Sequence, residues 1–318
     1  MIEYRSFLNT DAPAIVDIWR SQQPSRVIAS SVTRIDMDRM VFEKLYFDAA
    51  GMIVAVKDGV PVGFAHCGFG PNAENSDLDY SVGAISQLRI LAGEDVDSIS
   101  PELIKRAVEY LKSKGSKSCF AGSRFPASPF YLGIYGGSRV PGVADEDVVM
   151  SEAFLNFGFE KKDSVNVDQL RLSGFRPSVD RKQMQIRRQY SVTPIVDPKP
   201  LNWWESCTYG WHEIFGFWLV DKKTQEEMGR VSFWEIQPLS TEWGTRTMGV
   251  CDLRIADEHR RSGLATFLLG ESFRQLAMQA VSIVDLQFLD SDEPMHGLAK
   301  KLGFEKISGG SILELNIA

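Results

Sequence analysis

The stretch that most constrains this chain is Cys251-Asp-Leu-Arg-Ile-Ala-Asp-Glu-His-Arg-Arg-Ser-Gly-Leu-Ala-Thr266. After Val250, Leu253 and Ile255 interleave with Asp252 and Arg254, the period of a half-buried strand. Arg260 and Arg261 follow in a short polar loop that closes on Ser262-Gly263. Leu269, Phe273, Leu276 and Ala280 then share one face at helical spacing. A strand, a cationic loop and a helix in this order leave the first backbone N–H groups of the helix unpaired. The helix dipole and two adjacent guanidinium groups add to their pull, so the stretch predicts a seat for phosphate.

Composition narrows the class. The 318 residues suit two ordinary domains, and 44% hydrophobic content supplies real cores. The net charge of −7 is spread out, with 18 Lys and Arg against 23 Asp and Glu in residues 1–172, and 17 against 19 in the remainder. Neither half has the basic balance of a nucleic-acid binder. An anionic ligand therefore needs local positive charge, which Arg254, Arg260 and Arg261 supply. The four cysteines, Cys67, Cys119, Cys207 and Cys251, show no metal-ligand or disulfide spacing and read as thiols in a reducing compartment. No apolar run has the length of a membrane span. Ile2–Phe7 reads as a strand, and the N-terminus does not read as a signal peptide, so a cytoplasmic location is expected. Oligomeric state is left open.

Arg260-Arg-Ser-Gly263-Leu-Ala265 resembles the Arg/Gln-x-x-Gly-x-Gly/Ala signature of the GNAT superfamily of N-acetyltransferases. Asp292-Glu-Pro-Met-His-Gly-Leu-Ala-Lys-Lys-Leu-Gly303-Phe304 resembles its second hallmark, Asn-x-x-Ala-x-x-x-Tyr-x-x-x-Gly-Phe. The resemblance implies a mixed α/β fold and acetyl-CoA as co-substrate. It assigns the diphosphate to Arg260, Arg261, Ser262, Gly263, Leu264, Ala265 and Thr266. It assigns the pantetheine arm to Leu253, Arg254 and Ile255, and places Asp292 at the head of the second motif.

The first half repeats the pattern. Gln87-Leu-Arg-Ile90 parallels Asp252-Leu-Arg-Ile255, and Gly158-Phe-Glu-Lys161 parallels Gly303-Phe-Glu-Lys306. The predicted elements of residues 2–122 run strand, two helices, three strands, helix, strand, with the helix after the acidic loop starting at Ser100-Pro101. This is the GNAT order, so the chain reads as two tandem GNAT folds. Residues 1–172 form a degenerate N-terminal copy, 173–182 a linker, and 183–318 the C-terminal, cofactor-binding copy. Gln183–Tyr190 is predicted to be a strand. After Ile90 the first copy carries Glu94, Asp95 and Asp97 and no arginine; carboxylates there repel CoA phosphates. The arrangement is similar to that of mycothiol synthase-like tandem acetyltransferases.

The resemblance implies acetyl transfer to a primary amine of a small-molecule or peptide acceptor. The amine must lose a proton to attack. The base candidates are Asp252, beside the central strand, and Glu235, at the end of the preceding one. The family's tyrosine is Ala299 here; His296, three residues earlier on the same helix, is the candidate acid. Tyr131, Tyr135 and Arg139 in a long Gly/Pro/aromatic insert, and Trp203, Trp204, Tyr209 and Trp211, are candidates for an acceptor pocket. The missing tyrosine keeps in view a non-catalytic acyl-CoA-binding or regulatory protein; an aminoacyl or long-chain transferase built of paired GNAT-like units is a further alternative, which a wider acyl tunnel would favour.

Overall fold

The computed structural model describes every residue except Pro129, Ser178, Val196 and Asp197. The first half contains β1 (Ile2–Ser6), α1 (Ala12–Arg20), α2 (Arg34–Met37), β2 (Met52–Lys57), β3 (Val60–Pro71), β4 (Leu78–Ile90), α3 (Val96–Lys114) and β5 (Ser118–Ala121). It continues through β6 (Ser123–Arg124), β7 (Pro141–Ala144), α4 (Val148–Phe157) and β8 (Glu160–Arg171). The second half opens with α5 (Arg181–Gln189), β9 (Tyr190–Ile195), α6 (Trp203–Tyr209), β10 (Ile214–Asp221), β11 (Glu227–Glu235), α7 (Gln237–Trp243) and β12 (Thr247–Ile255). It closes with α8 (Leu264–Met278), β13 (Ile283–Leu289), α9 (Glu293–Leu302) and β14 (Glu305–Asn316).

All but two short strands lie on one continuous path, β1-β2-β3-β4-β5-β14-β8-β13-β12-β11-β10-β9. The order is close to a pseudo-twofold, and its centre is an exchange. β14, the last strand of the chain, lies antiparallel between β5 and β8; β8, from the first half, lies antiparallel between β14 and β13. The side chains follow the strands. Leu313 and Ile317 are buried in the core under α3 and α4, and Leu170 and Leu172 in the core under α8 and α9. Each half thus fills part of the other's core. A third core, on the opposite sheet face, joins the halves through α1, α6, α7 and the insert.

The duplication extends to backbone irregularities. β3 pairs with β4 as His66↔Gln87 and then Cys67↔Ile85; β11 pairs with β12 as Ser232↔Asp252 and then Phe233↔Val250. Ser86 and Cys251 are therefore equivalent bulged residues. The Gly-Phe repeats have a common physical role. Gly158 and Gly303 take φ of 111° and 85° at the ends of α4 and α9, and Phe159 N–H and Phe304 N–H donate back to Phe154 O and Ala299 O at 3.1 and 3.0 Å. This is a glycine-initiated Schellman stop with the following aromatic turned into the core. Ala299 and Phe154 occupy the buried positions that receive these bonds.

Three local expectations are corrected. Residues 183–189 belong to the helix α5, not to a strand. Asp180 accepts from Gln183 N–H at 2.7 Å, and Gln183 and Ile186 turn one face inward while Arg181, Lys182, Arg187 and Arg188 stay exposed. The helix after the acidic loop begins at Val96 rather than Ser100, because Asp95 caps it and Pro101 lies inside it. The second helix of the predicted order, expected over Arg34–Asp48, shrinks to Arg34–Met37 followed by a wide turn to Phe42. The predicted linker includes Ser178, which lies outside the described residues; just before it, Phe175 packs edge-on against Phe273 at 5.5 Å and Pro177 lies against Gly270. Among the described residues no helix is long and apolar enough to cross a membrane.

Candidate functional site

The parallel pairing of β12 with β13 covers only Thr247–Gly249 against Ile283–Asp285. Beyond Gly249 the two strands part, while β12 keeps its bonds to β11 through to Ile255. A V-shaped cleft results, with one edge of Val250–Ile255 free of strand partners among the described residues. A free strand edge offers alternating donors and acceptors to an extended amide chain.

The mouth of the cleft is the cationic loop. Arg261 and Gly263 take φ of 58° and 93°, and Gly263 starts α8 with no side-chain cap. The first intrahelical bond there is Phe267 N–H to Gly263 O, 3.2 Å. Among the described residues no acceptor meets the N–H groups of Leu264, Ala265 and Thr266, so the positive end of α8 stands open to an anion. Arg260 bonds Asp257 at 2.7 Å, and its Nε donates to Ile255 O at 3.4 Å. Arg261 makes no ion pair among the described residues. Sequence reasoning missed a further contributor. α5 runs alongside α8, with the Lys182 stem and the Gln183 amide packed on Gly263 and Arg187 paired with Glu271. Lys182, exposed in the first turn of α5, thereby joins Arg260 and Arg261 at one end of the cleft. The misread strand concealed this.

The other side of the V is built by the insert from the first half. Ser138 N–H donates to Asp285 at 2.8 Å, Ser138 O accepts from Trp234 Nε1 at 3.0 Å, and a Cβ on Gly249 would strike Ser138. Arg139 Nη2 donates to Cys251 O at 3.0 Å, with Phe125 under the guanidinium at 4.6 Å. His212 and Tyr209 pack on Trp234 at 4.4 and 6.1 Å. Burial pushes the Cys251 thiol up to about 12 and the His212 imidazole down to about 3, so both are neutral near pH 7. Of the aromatic candidates, Tyr209 is in this group. Trp204 is buried against Tyr46, Trp203 packs at its margin, and Trp211 is exposed. Tyr131 and Tyr135 lie elsewhere, sealed in the first half around Trp19, His66 and Arg89.

The three acid–base candidates are not brought together. Asp252 and Arg254 point the same way from β12; Arg254 Nε and Arg230 Nε reach the Asp252 carboxylate at 2.9 and 3.2 Å. Glu235 is held by Arg246 at 3.1 Å, level with Met248 and thus before the strands part. His296 lies on α9, its ring edge-on to Phe288 and its Nε2 2.9 Å from Asp290 O. Asp292 caps α9 through Met295 N–H at 3.2 Å.

The equivalent place in the first half has different chemistry. α3 starts behind Asp95, whose carboxylate accepts from Ser98 N–H at 3.2 Å, so the helix end that would hold an anion holds its own. The cleft of about 330 Å³ between α3 and α4 is lined by Asp97 and Glu152. Beyond Ile85 the parting of β4 from β5 is filled by the insert: Arg89, equivalent to Arg254, is buried in an ion pair with Asp147 at 2.6 Å, and Tyr135 hydroxyl donates to the same carboxylate.

Comparison with known proteins bears on this arrangement. Residues 183–304 match the acetyltransferase (GNAT) family. No curated protein matches the sequence. Among solved structures, a tandem GNAT protein from the clavulanic acid biosynthesis pathway is similar over 100% of this chain and 99% of its own, at TM-score 0.65 and 15% identity. A GCN5-related N-acetyltransferase from Sphaerobacter thermophilus is similar over 99% and 96%, at TM-score 0.66 and 12% identity. A glucosamine N-acetyltransferase region of a fungal multi-domain β-N-acetylglucosaminidase reaches TM-score 0.75 at 14% identity, over 99% of this chain and 38% of that one. The chain accordingly has the fold of tandem GNAT proteins, and residues 183–304 of its C-terminal half match the acetyltransferase (GNAT) family.

Proposed function

We propose that the C-terminal half transfers an acetyl group from acetyl-CoA to a primary amine by direct attack, and that the N-terminal half completes the acceptor side without binding CoA. The observation that carries this reading is the contrast between two equivalent helix starts. α8 begins at an uncapped glycine beside Arg260 and Arg261, whereas α3 begins behind the Asp95 carboxylate. Diphosphate at the first, with Ser262 through Thr266 around it, leads the pantetheine arm along the free edge of Leu253–Ile255 toward the bulge at Cys251. Holding the thioester and the amine together there supplies much of the rate. Backbone N–H groups at the bulge are the donors available to the developing oxyanion.

For proton removal we favour Asp252, the carboxylate on the free-edge segment, which Arg230 and Arg254 fix in place. Glu235 is the weaker candidate base, because Arg246 holds it level with Met248, before the strands part; His296, the candidate acid, rests against Asp290. The reading is tested by calorimetry with acetyl-CoA and by CoA release over an amine panel. Wild-type protein is expected to bind acetyl-CoA, and Arg260→Glu and Gly263→Val to lose it. Unchanged affinity in both variants contradicts the proposal. Binding without CoA release by any amine favours the non-catalytic reading that Ala299, in the tyrosine position, keeps open.

A further inference from the structure

The insert delivers a guanidinium to the cleft, and among the described residues no carboxylate pairs with it. Arg230 and Arg254 share the Asp252 carboxylate, and Arg246 holds Glu235. Arg139 holds no carboxylate among the described residues. One of its nitrogens is spent on Cys251 O, its plane rests on Phe125, and its Nε is buried without a partner. A half-buried cation so placed is unfavourable unless something negative reaches it. Its surroundings point the same way. Ser138 Oγ, Tyr209 hydroxyl and His212 Nε2 are also buried and unpartnered among the described residues, and all three belong to the group packed around Trp234. Unmet buried polar atoms are rare in folded proteins, and several in one place mark a position that a polar molecule fills. Two of them are on the insert of the first half and two on the second, so the position exists only where the halves meet.

We propose that Arg139 binds a carboxylate carried by one of the two co-substrates, in the part of the cleft beyond Gly249. This rests on the reading of the C-terminal half as the transfer site. The planar fork suits a carboxylate, and the Cys251 and Phe125 contacts orient it before any ligand arrives. The carboxylate belongs either to the amine, as in an amino acid, or to the far end of a dicarboxylic acyl group on CoA. Both sources present the same chemistry to Arg139.

Matched substrates separate them. In one arm acetyl-CoA is offered with glycine, L-alanine and L-glutamate, each beside its α-amide; in the other, glycinamide is offered with acetyl-CoA or succinyl-CoA. CoA release is followed for wild type, Arg139→Gln and Arg139→Lys, with acetyl-CoA affinity measured by calorimetry in each. A charge-assisted contact of this kind predicts a preference in kcat/KM of roughly 10- to 100-fold for the carboxylate form in one arm. Arg139→Gln is expected to reduce that preference to about threefold or less while acetyl-CoA affinity holds, and Arg139→Lys to retain part of it. Preference in the first arm assigns the carboxylate to the amine, and in the second to the acyl group. Equal use of charged and amide forms in both arms overturns the proposal. So does a preference that survives Arg139→Gln, or no turnover of any carboxylate form by a protein that binds acetyl-CoA. Failure of the wild type to bind acetyl-CoA is a separate result, which overturns the parent reading first.

Discussion

Leu313→Ala places a core mutation of one half on the chain of the other. Leu313 belongs to β14, the final strand, and pairs with Ala121 of β5. Its side chain is 1% exposed and buried with Leu103, Leu111, Phe154 and Met150 in the core under α3 and α4. Burial this complete puts the loss at about 3 kcal/mol, within the roughly 2–5 kcal/mol seen for leucine truncations in tight cores. For a unit of about 150–250 residues that corresponds to a fall in Tm of roughly 6–12 °C. The distinguishing assay is native-state hydrogen exchange. If β14 completes the N-terminal half, protection falls first in α3, β4 and β5, although those residues are far away in sequence. Leu170→Ala on β8, in the core under α8, is expected to produce the mirror image, with protection falling in α8 and β13. Loss confined in each case to the half that contains the mutated residue would refute the exchange of strands.

The electrostatics of the helix starts make further expectations. Lys182→Glu reverses a charge packed on Gly263 and is expected to weaken acetyl-CoA binding about tenfold in low salt, less in high salt, with little change in Tm; calorimetry at two ionic strengths checks it. Asp95→Ala removes the cap of α3 and should cost about 1 kcal/mol in a denaturant titration without altering acetyl-CoA affinity. Lys44 is buried, donates to Thr208 O at 2.7 Å, and is pushed down to about 8 by desolvation. Between that value and the unfolded one, near 10.4, the unfolded chain binds more protons, so stability rises with pH across this window. Relative to Lys44→Gln, wild type should gain up to about 3 kcal/mol from pH 8 to pH 10.5; a flat difference would contradict the burial of the amine.

What the sequence revealed was mostly local. The alternation at Leu253–Ile255, the glycine before α8 and the Gly-Phe stops are each decided within a few residues, and they appear as read. The start of α3 was misplaced because Ser100-Pro101 imitates a cap and first turn, while Asp95 does the capping. The segment Gln183–Tyr190 fits a period of two as well as a helix. Asp180 and the packing of Ile186 against the start of α8 decide for the helix, and that contact is made across about 80 residues of chain. The exchange of β8 and β14 leaves no local trace, because a strand's alternation says which face is buried and not which strand lies beside it. Arg139 was a candidate for an acceptor pocket together with Tyr131 and Tyr135. The three part company because the turns of the insert at Gly133, Gly136 and Gly137, all with positive φ, carry its end into the second half.

The central claim is that one of two equivalent helix starts receives the coenzyme. Amide hydrogen exchange of the full chain with and without saturating acetyl-CoA tests it directly. The account predicts slowed exchange at Leu264, Ala265 and Thr266, and none at Val96, Asp97 and Ser98. Protection at both helix starts, or at that of α3 alone, would contradict it.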